Sequence, residues 1–311
     1  MEFSTRIKIP KAPFEISHRD CILLSGSCFT ENIGHYLQQN RFQVCVNPFG
    51  IIYHPLAIAE SLQRIARNIP YTADELWQHD GLFLSPDHHG SFSREDASTT
   101  LQAINTSIDA AHRHFNASGY LILTFGTAWM YEHIATGKVV ANCHKIPNTE
   151  FRKSLLSIPQ ITAAFDTVMP LIGDKKILFT VSPVRHWRDG AVENQRSKSI
   201  LIESIHQLTE RYANAHYFPA YEIMMDELRD YRFYEEDMLH PSKVAVQYIW
   251  EKFGETCFSE RTQQANAQLE KIHLMEQHRA QRKDHPSYAV LQQKLADKKT
   301  EFRRLYPEIS L

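Results

Sequence analysis

Short, continuous apolar runs alternate along the chain with longer stretches in which apolar residues recur every three or four positions. CILL (21–24) is the first run, ended by Ser25-Gly26. Thr30 then reads as the N-cap of a helix reaching residue 39. Residues 42–46 read as a second strand, and Pro55 opens a helical stretch over 55–68, at the position proline favours. Leu101, Ile104, Ile108, Ala111 and Phe115 follow helical spacing up to Ala117-Ser118-Gly119. YLILT (120–124) and KILFTV (176–181) are the next strands. A helical pattern covers 151–172 with a break at Pro159, and another covers 194–213. The last strand is expected within 217–223, and a closing amphipathic helix at 242–253.

Strands alternating with helices predict parallel pairing through right-handed crossovers. The strands are continuously apolar, as expected where helices cover both faces of a sheet. Residues 1–258 are therefore expected to form one three-layer α/β/α domain around a central parallel sheet. Residues 259–311 form a C-terminal helical extension with no glycine and sparse apolar points at Ile272, Met275, Leu291, Leu295 and Phe302. That segment carries 10 Lys and Arg against 7 Asp and Glu. It reads as a helical hairpin lying on the domain, or as a bridge to a partner such as a second copy of the chain.

Composition narrows the function. The 311 residues are 43% hydrophobic and 23% charged, with a net charge of −2, so no basic footprint for nucleic acid stands out. No apolar stretch approaches the length of a membrane span, and the first twenty residues lack the apolar segment of a secretory signal. Five cysteines without a CxxC pair form neither a disulfide framework nor a zinc ribbon, and fit a reduced, cytoplasmic compartment. Neither a metal nor a cofactor is expected: His54, Asp87, His88 and His89 are read as a polar rim, and together with His144 they lack the ligand spacing of a zinc site.

Ligands of such sheets bind outside the carboxyl ends of the strands. Two segments there carry chemistry. In GSCF (26–29) a strand turns into a helix, so Cys28 lies at a helix N-terminus, where free N–H groups favour the thiolate and can hold an oxyanion. A small buried cysteine packing the turn is the bland alternative, and the adjacent Ser27 is an alternative nucleophile. In DMLH (237–240) the spacing lets Asp237 orient the His240 imidazole, the second half of a nucleophile–base–orienter triad. Arg185, His186, Trp187 and Arg188 border the cleft and can seat an anionic or sugar-bearing substrate, or merely form a surface loop.

Seven stretches in order give these residues a family context: GSCF (26–29), NPFGIIYHP (47–55), GTAWMY (126–131), NCHKIP (142–147), SPVRHWRDG (182–190), NQRSKSIL (194–201) and DMLHPS (237–242). The chain resembles the GSCFA-domain family and, through LLSGSCFTENIG (23–34), the opening block of the SGNH (GDSL-like) hydrolases. The resemblance implies a flavodoxin-like fold and an ester hydrolase or acyltransferase acting on a small-molecule or glycan acyl ester. Cys28 falls on the serine nucleophile, Ser27 on the neighbouring Asp, His240 on the base and Asp237 on its partner. Gly50 is implied as the second oxyanion donor through its N–H. Two positions depart. Thr30 stands where the family name has Ala. Ala128 stands where SGNH enzymes carry an oxyanion-binding Asn, for which Asn142 or His144 is a substitute. In this reading His240 removes the Cys28 proton. The competing expectation is a degenerate module that binds an acylated or glycosylated ligand, or a protein partner, without turnover.

Overall fold

The computed structural model describes residues 5–277 and 286–311. Five parallel strands form the central sheet: β1 (Cys21–Gly26), β2 (Gln43–Val46), β3 (Tyr120–Phe125), β4 (Lys176–Val181) and β5 (Ala215–Phe218). Their spatial order is 2-1-3-4-5. This is the flavodoxin-like order, which reverses direction between β1 and β3 and so opens a crevice at their carboxyl ends.

Alternate strand residues face opposite layers. Leu23, Leu121, Leu123, Ile177 and Phe179 point into one apolar cluster. It is completed by α2 (Pro55–Arg67), α3 (Ala97–Ala117), α4 (Ile158–Ile172) and α5 (Gly190–Arg211). Ile22, Leu24, Ile122, Leu178 and Phe218 point the other way, against α1 (Cys28–Gln39) and α6 (Lys243–Cys257). Both faces are covered, which is why the strands read as unbroken apolar runs.

Three expectations need correction. Ser27, not Thr30, is the N-cap of α1, because the chain bends immediately after Gly26; Thr30 is buried inside the helix. The helical pattern assigned to 151–172 is two elements. Phe151–Leu155 is a strand paired with Trp129–His133, which also pairs Val139–Val140, in a small antiparallel sheet. The helix starts only at Ile158, with Ser157 and Gln160 forming a capping box, so Pro159 stands in the first turn rather than at a break. The antiparallel hairpin of Trp77–His79 and Leu82–Leu84 was also not expected.

Beyond Phe258 the chain continues as α7 (Glu260–Gln277) and α8 (Pro286–Leu305). Ala265, Leu269 and Ile272 of α7 pack on Leu295 and Phe302 of α8 and on Tyr306 and Ile309 beyond it, in a cluster of their own. Arg261 ties this pair together through Glu308 and the Leu305 carbonyl. None of the described helices is long and apolar enough to cross a membrane.

Candidate active site

Gly26 ends β1 with φ +148°, and a Cβ there would lie 2.2 Å from the Thr124 carbonyl oxygen. Only glycine lets β1 close on β3 and the chain then turn into α1. Ser27 follows, fully buried, with its Oγ lacking a hydrogen-bond partner. Cys28 is the first residue of α1 and is half-buried, so of the two candidate nucleophiles it is the one open to solvent. Burial pushes its thiol up. The N–H groups of Phe29 and of Cys28 itself, together with Lys198, pull it down, but burial prevails. The lowered pKa expected from the helix N-terminus is therefore not realised.

The expected dyad is formed. His240 Nδ1 lies 2.6 Å from Asp237 Oδ2, and Asp237 Oδ1 accepts the Leu239 and His240 N–H groups, each at 2.9 Å. These bonds hold the Asp237 carboxyl down at about 2. Both side chains are about half exposed. The loop belongs to the carboxyl edge of the sheet, since the Arg185 N–H, shortly after β4, donates to the Leu239 carbonyl at 3.3 Å.

His186 follows Arg185 in the loop after β4, and its N–H donates to Asn194 Oδ1 at 2.9 Å. Its ring meets Tyr53 edge-on with centroids 5.5 Å apart, and its buried Nε2 has no partner. Burial, then the charges of Lys198 and His240, hold it down at about 3, so it is neutral at ordinary pH. Arg185 stacks on Trp187 at 4.9 Å. These two, with Met224, Tyr231, Tyr234 and Met238, line a cavity of about 550 Å³ that reaches Asp237.

Other expected residues are engaged elsewhere. The Gly50 N–H, expected to face an oxyanion, donates to the Asn47 carbonyl at 2.7 Å in a turn whose positive φ of 73° demands glycine. Asn142 closes its own turn by accepting the His144 N–H at 2.9 Å, and His144 Nε2 donates to the Ser85 carbonyl at 2.7 Å. These bonds occupy the Asn142 Oδ1 and the His144 Nε2. Of the histidines read as a polar rim, His54 and His88 are packing residues. His54 caps α2 and donates to the Val140 carbonyl, while His88 is buried and stacked on Phe49 with centroids 4.2 Å apart. Asp87 accepts from Tyr71 and Lys138.

Two residues were missed. Asn47 accepts the Gly26 N–H at 2.9 Å, and its buried Nδ2 has no partner. Lys198 on α5 is completely buried and donates to the carbonyls of Gly126 and Ser182 at 2.8 and 2.7 Å. Its signal was in the sequence: it shares the buried stripe of α5 with Asn194, Leu201, Ile205 and Leu208, where a lysine has no place unless it is used.

A family model, that of the GSCFA family, matches residues 21–253, well over half of the chain. The chain belongs to the GSCFA family. The matched segment of this GSCFA protein runs from the start of β1 almost to the end of α6, and so contains the Cys28 turn, Lys198 and the Asp237–His240 loop. No curated protein and no solved structure matches the chain.

Proposed function

We propose that this GSCFA protein is an acyl-transfer enzyme of SGNH-like type, an ester hydrolase or acyltransferase with Cys28 as nucleophile. The observation that carries this reading is the 2.6 Å Asp237–His240 bond on the same edge of the sheet as the open Cys28 turn. In the reaction His240 takes the Cys28 proton as the sulfur attacks the ester carbonyl and forms a thioester. Protonated His240 gives its proton to the departing oxygen and takes one back from water or an acceptor hydroxyl, which then releases the sulfur. The cavity beside Asp237, with its aromatic and methionine lining and its two arginines, Arg185 and Arg229, suits the acyl or glycan part of an ester.

Cleavage of p-nitrophenyl acyl esters, with mass analysis for an acyl adduct on Cys28, tests this. Cys28→Ala is expected to abolish turnover and the adduct, and Ser27→Ala to retain both. The reverse pattern transfers the nucleophile to Ser27, and no turnover by the unaltered protein on any acyl ester removes the enzyme reading.

A second reading rests on the Gly50 N–H being occupied and on burial holding the Cys28 thiol protonated. Both suit a module that binds an acylated or glycosylated ligand without turning it over. Equal affinity of the wild type and Cys28→Ala for an acylated sugar, with no product released, supports it.

A further inference from the structure

Four charged side chains line the cavity of about 550 Å³ beside the dyad: Arg185, Arg229, Asp230 and Asp237. Three of them have partners. Arg229 pairs with Asp226 at 2.6 Å, Asp230 with Arg232 at 2.8 Å and Asp237 with His240 at 2.6 Å. Among the described residues Arg185 has none: no carboxylate pairs with its guanidinium, and its buried Nε lacks a hydrogen-bond partner. An arginine keeps its charge at every pH the protein meets, and a desolvated donor without an acceptor is costly. An anion brought in from outside removes that cost.

The main chain fixes where this cation sits. The Arg185 N–H donates to the Leu239 carbonyl at 3.3 Å, which ties the residue to the loop of Asp237 and His240. The guanidinium lies over the Trp187 ring at 4.9 Å. Stacking covers one face of the group and leaves its N–H edges available. Trp187, Tyr231 and Met238, all on the cavity wall, are 46, 76 and 48% exposed. Open apolar side chains around one unpaired cation match a ligand that is apolar along its length and anionic at one point. The anion that fits is a carboxylate. Its single charge balances the single unpaired guanidinium, and its two oxygens match the arginine fork. A phosphate monoester would bring nearly two negative charges to a wall that already holds Asp230 and Asp237.

We propose that this cavity is a carboxylate-binding subsite, through which Arg185 selects acyl esters that carry a free carboxylate. This rests on the ester chemistry read at the Asp237–His240 dyad and names its substrate class. The carboxylate takes the edge of the guanidinium, and the hydrocarbon between it and the ester lies along the methionine and tyrosine walls. Arg185 acts as a specificity residue, away from the reacting atoms.

Binding is measured apart from turnover. Protein labelled with ¹⁵N-arginine is titrated with 4-phenylbutyrate, with its uncharged amide and with 2-phenylethyl phosphate, following the Arg185 Nε–H resonance. The carboxylate is expected to shift that resonance saturably and to bind at least tenfold more tightly than the amide or the phosphate. Arg185→Met is expected to bind acid and amide equally. Arg185→Lys, which keeps the charge but loses the fork, is expected to retain part of the preference. Equal affinity of the wild type for acid and amide overturns the proposal, as does a preference that survives Arg185→Met. Tighter binding of the phosphate overturns the choice of carboxylate.

Turnover tests the substrate class. The carboxylate stands on the acyl side in p-nitrophenyl hydrogen adipate, compared with p-nitrophenyl hexanoate. It stands on the alcohol side in 4-acetoxyphenylacetate, compared with 4-methylphenyl acetate. After correction for uncatalysed hydrolysis, kcat/KM is expected to favour the charged member of at least one pair tenfold or more, and that ratio to collapse in Arg185→Met. Ratios near one in both pairs overturn the substrate class. The two readings fail separately. Carboxylate binding that depends on Arg185, with no ester turned over, removes the enzyme and keeps the subsite. Turnover of esters with no preference for the carboxylate removes the subsite and keeps the enzyme.

Discussion

Asp237 accepts three hydrogen bonds from within its own loop, two from main-chain N–H groups and one from His240. All of them favour the carboxylate, so its folded pKa of about 2 lies below the usual value near 3.9. A depressed carboxyl contributes above its unfolded pKa and loses that contribution as pH falls through the folded value. The His240 ring is therefore expected to stay bonded to Asp237 at pH 4 and to be released only as pH approaches 2. The His240 imidazole resonances in an acid titration check this, and release complete by pH 4 contradicts it. For turnover, His240→Ala is expected to lower kcat on an acyl ester about 10²-fold or more, the usual scale of a general acid–base group. Asp237→Asn, which keeps shape but not charge, is expected to lower kcat less and to shift its pH profile.

At the scale of the element, α1 is set by a glycine and α4 by a cap. Gly26→Ala drives a methyl group into the Thr124 carbonyl and forces an L residue to a strained φ. It is expected to destabilise the protein by about 3 kcal/mol. Urea unfolding measures this, and a loss below about 1 kcal/mol contradicts the clash. Ser157 and Gln160 cap each other's backbone N–H groups at the start of α4. Ser157→Ala is expected to cost about 1 kcal/mol, with no change at Cys28. The contrast separates the two classes of position. A cap is replaceable in part by water, whereas the β1–β3 contact has no room for any atom.

At the scale of the molecule, the chain divides its apolar residues between the two faces of the sheet and a separate helical pair. Phe302 is completely buried in that pair, and Arg261 holds the end of α8 to the start of α7. Phe302→Ala is expected to cost about 3–5 kcal/mol within the pair. Hydrogen exchange should then rise in α7 and α8 while β1, β3 and β4 keep their protection. Equal loss of protection in the sheet would show the two parts unfolding as one unit. Burial on both faces made the strands β1, β3 and β4 legible, because only a covered strand is apolar without alternation. The strand at Phe151–Leu155 was not legible, because FRKSL carries the mixed pattern of a sheet with one open face and runs directly into a helix.

The sequence by itself determined the parallel α/β order, the strand–glycine–helix turn that carries Cys28, and the Asp237–His240 pairing. Each of these is local: an unbroken apolar run, a glycine where no Cβ fits, a carboxylate three residues from an imidazole. Tertiary structure decided the rest. Whether the Gly50 N–H is free depends on the turn that Asn47 closes, and whether the Cys28 thiol is lowered or raised depends on how much water the fold removes around it. Lys198 meets two carbonyls from segments 72 and 16 residues away in sequence. Desolvation and long-range contact are properties of the assembled sheet edge, and no spacing along the chain encodes them.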